Sequence, residues 1–168
     1  MRENLKLLIR TIGLWVRSHA LGLIIGACLT TLFISRFQFA INLTESLAGR
    51  IFLIDKSDKS VKPGELVAFS SQNAAPIPDG ITLIKRVAGV PGDRVSVENR
   101  FVFINGQPVA FAKPTSRTGE PLLPVNSSAI PEGFFFAVGE HPDSFDSRYS
   151  PPGLIPLNTV RGQAHCLW

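Results

Sequence analysis

The hydropathy pattern divides the chain into two regimes. Ser18 to Ser35 contains no Asp, Glu, Lys or Arg, and Ala20–Ile34 within it is almost wholly apolar or small. Helical residues over that length, at about 1.5 Å each, span about 27 Å, close to the hydrocarbon thickness of a bilayer. Arg17 and Arg36 flank the run and can reach the two interfaces by snorkelling. Trp15, Phe37 and Phe39 fall where interfacial aromatics belong. The pattern predicts one transmembrane helix over 18–35. A cleaved signal peptide and a lipoprotein signal around Ile25-Gly26-Ala27-Cys28 are the competing readings. The long segment before the run, the lack of a clean small-x-small site after it, and its continuation past Cys28 favour a retained anchor.

Beyond residue 45 the apolar runs shorten and take strand form. Arg50–Ile54, Leu66–Phe69 after Pro63-Gly64, and Ile81–Val90 before Pro91-Gly92-Asp93 read as strands closed by turn signals. Arg94–Val97, Phe101–Ile104 and Val109–Phe111 follow, with turns at Asn99-Arg100 and Asn105-Gly106, the second a type I′ hairpin candidate. Residues 114–131 are rich in Pro, Ser and Gly and read as an excursion loop. Gly133–Val138 is a core strand, and Val160–Leu167 is expected to add an edge. No long amphipathic helix and no internal repeat follow the anchor. The expected fold class is mainly β: an antiparallel, coiled β-sheet or partial barrel with one N-terminal transmembrane helix. The expected organisation is a cytoplasmic basic N-terminus over 1–17, the helix over 18–35, and a periplasmic β-rich domain over 36–168.

Charge changes the picture in one respect. The 168 residues carry a formal net charge of +4, which raises nucleic acid as a partner. Residues 1–35 hold Arg2, Lys6, Arg10 and Arg17 against Glu3, a net +3, and the rest of the chain is near neutral at +1. The excess is thus a topology signal that keeps the N-terminus cytoplasmic, and no nucleic-acid partner is expected. Cys28 lies in the apolar run and Cys166 near the C-terminus, so no disulfide is expected between them. Neither has metal-ligand spacing, and no metal or other cofactor is expected.

Candidate chemistry begins at Lys85. Strand alternation puts Ile81, Leu83, Lys85 and Val87 on one face. A lysine desolvated by such neighbours loses preference for its charged form and can act as a general base. Taken alone, a lysine snorkelling from a sheet edge is the commoner case. Thr44-Glu45-Ser46-Leu47-Ala48-Gly49 lies between the apolar run and the first strand, a short tether from a membrane surface. Ser46 is a candidate nucleophile there. Thr44 could turn its hydroxyl to the same side and join the Ser46 N–H in stabilising an oxyanion. Taken alone, a Ser/Thr turn is the commoner case here too.

Three ordered blocks join these signals. Thr44-Glu45-Ser46-Leu47 is similar to the nucleophile block of the type I signal peptidase family, the serine/lysine membrane peptidases. Lys85-Arg86-Val87-Ala88-Gly89-Val90-Pro91-Gly92-Asp93 follows that family's K-R-V-x-G-x-P-G-D. Gly139-Glu140-His141-Pro142-Asp143-Ser144-Phe145-Asp146-Ser147-Arg148 resembles its G-D-N…S-x-D-S-R block. The chain resembles most its conjugative-transfer branch, the TraF-type pilin-processing peptidases. The resemblance implies Ser46 as nucleophile, Lys85 as general base, Thr44 as an oxyanion-hole hydroxyl and Ser144 as the residue orienting the base. It implies Asp146 and Arg148 as an ion pair supporting the site. It also implies a membrane-anchored precursor as substrate, bound as an added strand, with small side chains just before the cut. In the pilin-processing branch an amine of the pilin can capture the acyl-enzyme and give a cyclic product. Two departures stand out: Ala48-Gly49 replaces a proline usually found soon after the serine, and Gly139-Glu140-His141 replaces a G-D-N stretch in a block one residue shorter. His141 is read as a loop residue. The rival readings are a non-catalytic, membrane-tethered peptide-binding β module and a housekeeping signal peptidase.

Overall fold

The structure is a computed structural model that describes residues 2–44 and 46–168; Met1, and Glu45 of the expected nucleophile block, lie outside the described residues. It divides into two units, Met1–Phe37 and Gln38–Trp168. The first is helix α1, Arg2–Arg36, of 35 residues. It starts well before Ser18, where the sequence places the span, because Leu, Lys, Arg and Glu favour helix through residues 2–17 and Gly13 is the weakest former among them. Its stretch Ile9–Arg36 is 28 residues long and apolar enough to cross a membrane. Leu21, Leu29, Leu32 and Ile34 are all exposed on it, so the helix presents apolar side chains without a protein partner in its own unit.

The second unit is built from two sheets. The larger has seven strands in the order β1 (Phe37–Ile41), β2 (Ile51–Asp55), β11 (Val160–Cys166), β3 (Leu66–Ser70), β4 (Thr82–Gly89), β9 (Phe134–Val138) and β10 (Ile155–Pro156). The smaller has four, in the order β7 (Gln107–Phe111), β6 (Phe101–Ile104), β5 (Arg94–Glu98) and β8 (Ser128–Ala129). Pairing is antiparallel from β2 through β10 and throughout the smaller sheet. Neither sheet closes, so the fold is a pair of open antiparallel sheets.

Strand β9 joins the two layers. Its Phe-Phe-Phe-Ala-Val run is apolar at every position because both faces are covered. Phe135 and Ala137 pack with Val67, Phe69, Val87 and Val160. Phe136 and Val138 pack with Val95, Val102, Ile104 and Ile130 from the smaller sheet and its loops. The hairpin turns form where the sequence marks them: Asn99-Arg100 and Asn105-Gly106 all take positive φ, as type I′ turns require.

One expectation is overturned. The strand at Val160–Leu167 is not an edge; β11 lies between β2 and β3 and pairs with both. Its inner positions are small, and a Cβ added at Gly162 would overlap the Asp55 carbonyl oxygen, so the glycine permits this close approach. The edge is supplied instead by β1, a strand the sequence reading leaves unassigned. The excursion loop also carries more structure than expected, with β8 and a Thr115–Pro121 bridge inside it.

Candidate active site

Strand β4 delivers the lysine. Val67 faces Lys85 in the β3–β4 ladder, and Leu83 and Val87 share the lysine's face within one apolar cluster. Lys85 is only 4% exposed. A small apolar cavity of about 20 Å³, bordered by Phe69, Leu83, Phe145 and Ile155, lies against it. Burial pushes the ammonium down from the ordinary 10.5 to about 8; Asp146 opposes the fall and Arg148 adds to it. The lysine's hydrogen bond goes to Ser144, from Nζ to Oγ at 2.7 Å.

Ser144 sits on the loop after β9, and that loop is braced from below. Arg148 Nε and Nη2 donate to Asp146 Oδ1 and Oδ2 at 2.8 and 2.9 Å, a bidentate pair buried on both sides. The same two side chains hold Gly139: its N–H donates to Asp146 Oδ2 at 2.7 Å, and its carbonyl accepts from Arg148 Nη2 at 2.8 Å. Gly139 has no room for a side chain, since a Cβ there would overlap Ser144 Oγ and lie 2.8 Å from the Ser46 carbonyl oxygen.

Ser46 lies on a turn between β1 and β2, half-buried. Its hydroxyl is 2.8 Å from Thr44 Oγ1. Thr44 Oγ1 in turn donates to Asn42 Oδ1 at 3.0 Å, so the serine donates to the threonine in this arrangement. Asn42 organises the turn further, accepting the Thr44 N–H at 3.1 Å and donating from Nδ2 to the carbonyls of Leu47 and Gly49 at 3.2 Å each. Gly49 has φ +114°, a conformation closed to proline.

Ser46, Thr44, Lys85 and Ser144 all line one open cleft of about 740 Å³, together with Leu83 and Phe145. Asp146 and Arg148 stand behind it. Among the described residues no hydrogen bond joins Ser46 to Lys85; the serine hydroxyl meets Thr44 and the lysine amine meets Ser144. His141 also lines the cleft, and its Nδ1 accepts the Asp143 N–H at 3.1 Å, which fits a loop role. The excursion loop reaches the cleft wall as well. Lys113 and Arg117 both pair with Asp143 and hold its carboxyl down to about 2.

The sequence profile described as signal peptidase, peptidase S26, matches residues 12–168. The chain belongs to the signal peptidase family. A conjugal transfer protein TraF of Agrobacterium fabrum is 28% identical over 143 residues, covering 75% of this chain and 80% of that protein. A signal peptidase I V of Bacillus subtilis is 36% identical over 87 residues, 45% of this chain and 52% of that one. Among solved structures, a signal peptidase I from Enterococcus faecalis aligns with a TM-score of 0.41 at 23% identity, over 63% of this chain and 97% of that one.

Within this signal peptidase family member the sequence reading missed Asn42 and Arg117, which line the cleft, Glu140, whose carboxylate accepts the Ala48 N–H of the serine turn, and Arg86, which pairs with Glu140. Arg86 and Glu140 stand inside the quoted blocks, so their position was visible and their contacts were not. Asn42 precedes the Thr44 block by two residues, a spacing at which an Asn side chain meets a backbone N–H, and that was a usable signal.

Proposed function

We propose that the chain is a membrane-anchored serine endopeptidase of signal-peptidase type, with Ser46 as nucleophile and Lys85 as general base. The observation that carries this is that the half-buried Ser46 and the buried Lys85, whose burial favours the neutral amine, line one cleft. Neutral Lys85 takes the Ser46 proton as the oxygen attacks the scissile carbonyl. For that step the Ser46 hydroxyl turns from Thr44 toward the lysine. Thr44 turns its hydrogen from Asn42 toward the oxyanion and acts with the Ser46 N–H. The protonated lysine gives the proton to the leaving amine, and water then releases the acyl group. Ser144 holds the lysine amine in line, and Asp146 with Arg148 fixes the loop that carries Ser144.

The substrate in this reading is an exported, membrane-anchored precursor. Similarity to TraF proteins across three quarters of the chain favours a conjugative pilin, with capture of the acyl-enzyme by a pilin amine as a second outcome. Helix α1 anchors the protein in a bacterial inner membrane, with the basic N-terminus in the cytoplasm and the β domain in the periplasm. The test is reconstitution of the full chain with an anchored precursor, comparing wild type with Ser46→Ala and Lys85→Ala. Both substitutions are expected to abolish cleavage. Cleavage surviving either one contradicts the dyad, and peptide binding without any cleavage by wild type favours the non-catalytic module.

A further inference from the structure

Strand β4 sends two neighbouring cations to opposite faces. Lys85 enters the cleft. Arg86 goes the other way, donates from Nη1 to the Gly64 carbonyl at 2.8 Å, and pairs through Nη2 with Glu140 Oε1. The second oxygen of that carboxylate, Oε2, accepts the Ala48 N–H at 3.0 Å. The backbone of Glu140 meets the same turn from the other side, its N–H donating to the Ser46 carbonyl at 2.8 Å, with the His141 N–H on the same oxygen at 3.4 Å. One residue thus touches the serine turn twice, at Ser46 and at Ala48, while Arg86 fixes its carboxylate to the strand that carries the lysine.

Asn42 holds the turn from within, at Thr44, Leu47 and Gly49, and Glu140 adds a hold from a distant segment. Proline would fix φ and remove an N–H donor. Ala48-Gly49 does neither, and the free donor at Ala48 is the one that the carboxylate takes. The bond is charge-assisted, and the guanidinium keeps the acceptor ionised and aimed.

We propose that Glu140, steered by Arg86, is a positioning residue that holds the Ser46 turn in its working pose. This rests on Ser46 being the nucleophile. Glu140 touches neither Lys85 nor Ser46 Oγ, so its loss acts on the pose of the turn and leaves the base alone.

The experiment uses the full chain in detergent micelles, as wild type, Glu140→Gln, Glu140→Ala, Arg86→Gln and the double variant Glu140→Ala/Arg86→Gln. Two readouts are taken. Cleavage of an internally quenched peptide with small residues before the scissile bond gives kcat, KM and the pH profile. Amide hydrogen exchange over residues 46–49 reports the turn whether or not the peptide is cleaved. Glu140→Ala is expected to lower kcat about tenfold and to speed exchange at Ala48 about tenfold, the loss of one charge-assisted hydrogen bond. KM and the pH at which activity rises stay at wild-type values. Glu140→Gln, which keeps an acceptor of the same reach, falls between the two. The double variant is no worse than Glu140→Ala, because both act through one contact. Unchanged exchange at Ala48 in Glu140→Ala, or in Glu140→Gln should the alanine variant fail to fold, overturns the proposal. So does a fall in activity that comes through KM or through a shifted pH profile. A wild type that cleaves no peptide refutes the peptidase reading instead, and the exchange readout still decides whether Glu140 restrains the turn.

Discussion

At the scale of single residues, the proposed function turns on Lys85. An amine with a pKa near 8 is about one-tenth neutral at pH 7. The profile of kcat/KM is therefore expected to climb about tenfold per pH unit below about 8 and to level above it. A rise centred near the ordinary lysine value would contradict the desolvation argument. The same shift sets a stability profile. In the folded chain the lysine loses its proton near 8, and in the unfolded chain near 10.5, so between those values the unfolded chain holds a proton that the folded chain does not. Stability therefore rises with pH across that window, and below about pH 8 the folded chain carries the full cost of a buried charge. The gain across the window approaches about 3 kcal/mol at about 1.36 kcal/mol per pH unit. Lys85→Met is expected to flatten the rise, as read by denaturant unfolding of the two proteins side by side at pH 7.5 and pH 10.5. Parallel curves would place the lysine in water.

At the scale of elements, the site is held by the loop after β9. Its brace is a buried ion pair, and removing one partner leaves the other charge without its bidentate partner. Arg148→Met is expected to destabilise the fold by about 3–5 kcal/mol, because Asp146, fully buried, then keeps only the N–H groups of Gly139 and Arg148. A thermal midpoint unchanged from wild type would show the pair to be dispensable. Gly139→Ala tests the packing of the same loop on the serine turn. The added methyl meets Ser144 Oγ and the Ser46 carbonyl oxygen together, so kcat is expected to fall at least tenfold. Wild-type turnover in that variant would mean that the two segments are not closely packed during catalysis.

Much of this element layer was legible in the sequence, for identifiable reasons. Apolar runs bounded by Pro-Gly-Asp, Asn-Arg and Asn-Gly located most of the strands, because turn chemistry is local. The alternation around Lys85 placed it with Leu83 and Val87, and the structure puts these side chains on one face. The order of strands in the sheet was not legible. Whether Val160–Cys166 lies at an edge or inside depends on which neighbours approach, and the small side chain at Gly162 was the only local hint. Contacts over large sequence separations were equally hidden. The bond from Ala48 to Glu140 spans 92 residues, and no spacing rule connects its ends.

At the scale of the whole molecule, two units divide the labour in the proposed reading. The N-terminal segment holds most of the net positive charge and the long apolar helix, so its composition describes membrane placement. The β unit is close to neutral, and the chemistry proposed for it comes from one base kept out of water. The most direct measurement of the central claim is intact-mass and peptide-level mass spectrometry of the full chain, rapidly quenched during turnover of a peptide substrate at pH 8.5. The account predicts an acyl adduct on the peptide that contains Ser46, present in wild type and absent from Ser46→Ala and Lys85→Ala. Continued cleavage with no adduct on that peptide, or an adduct on another residue, would contradict it.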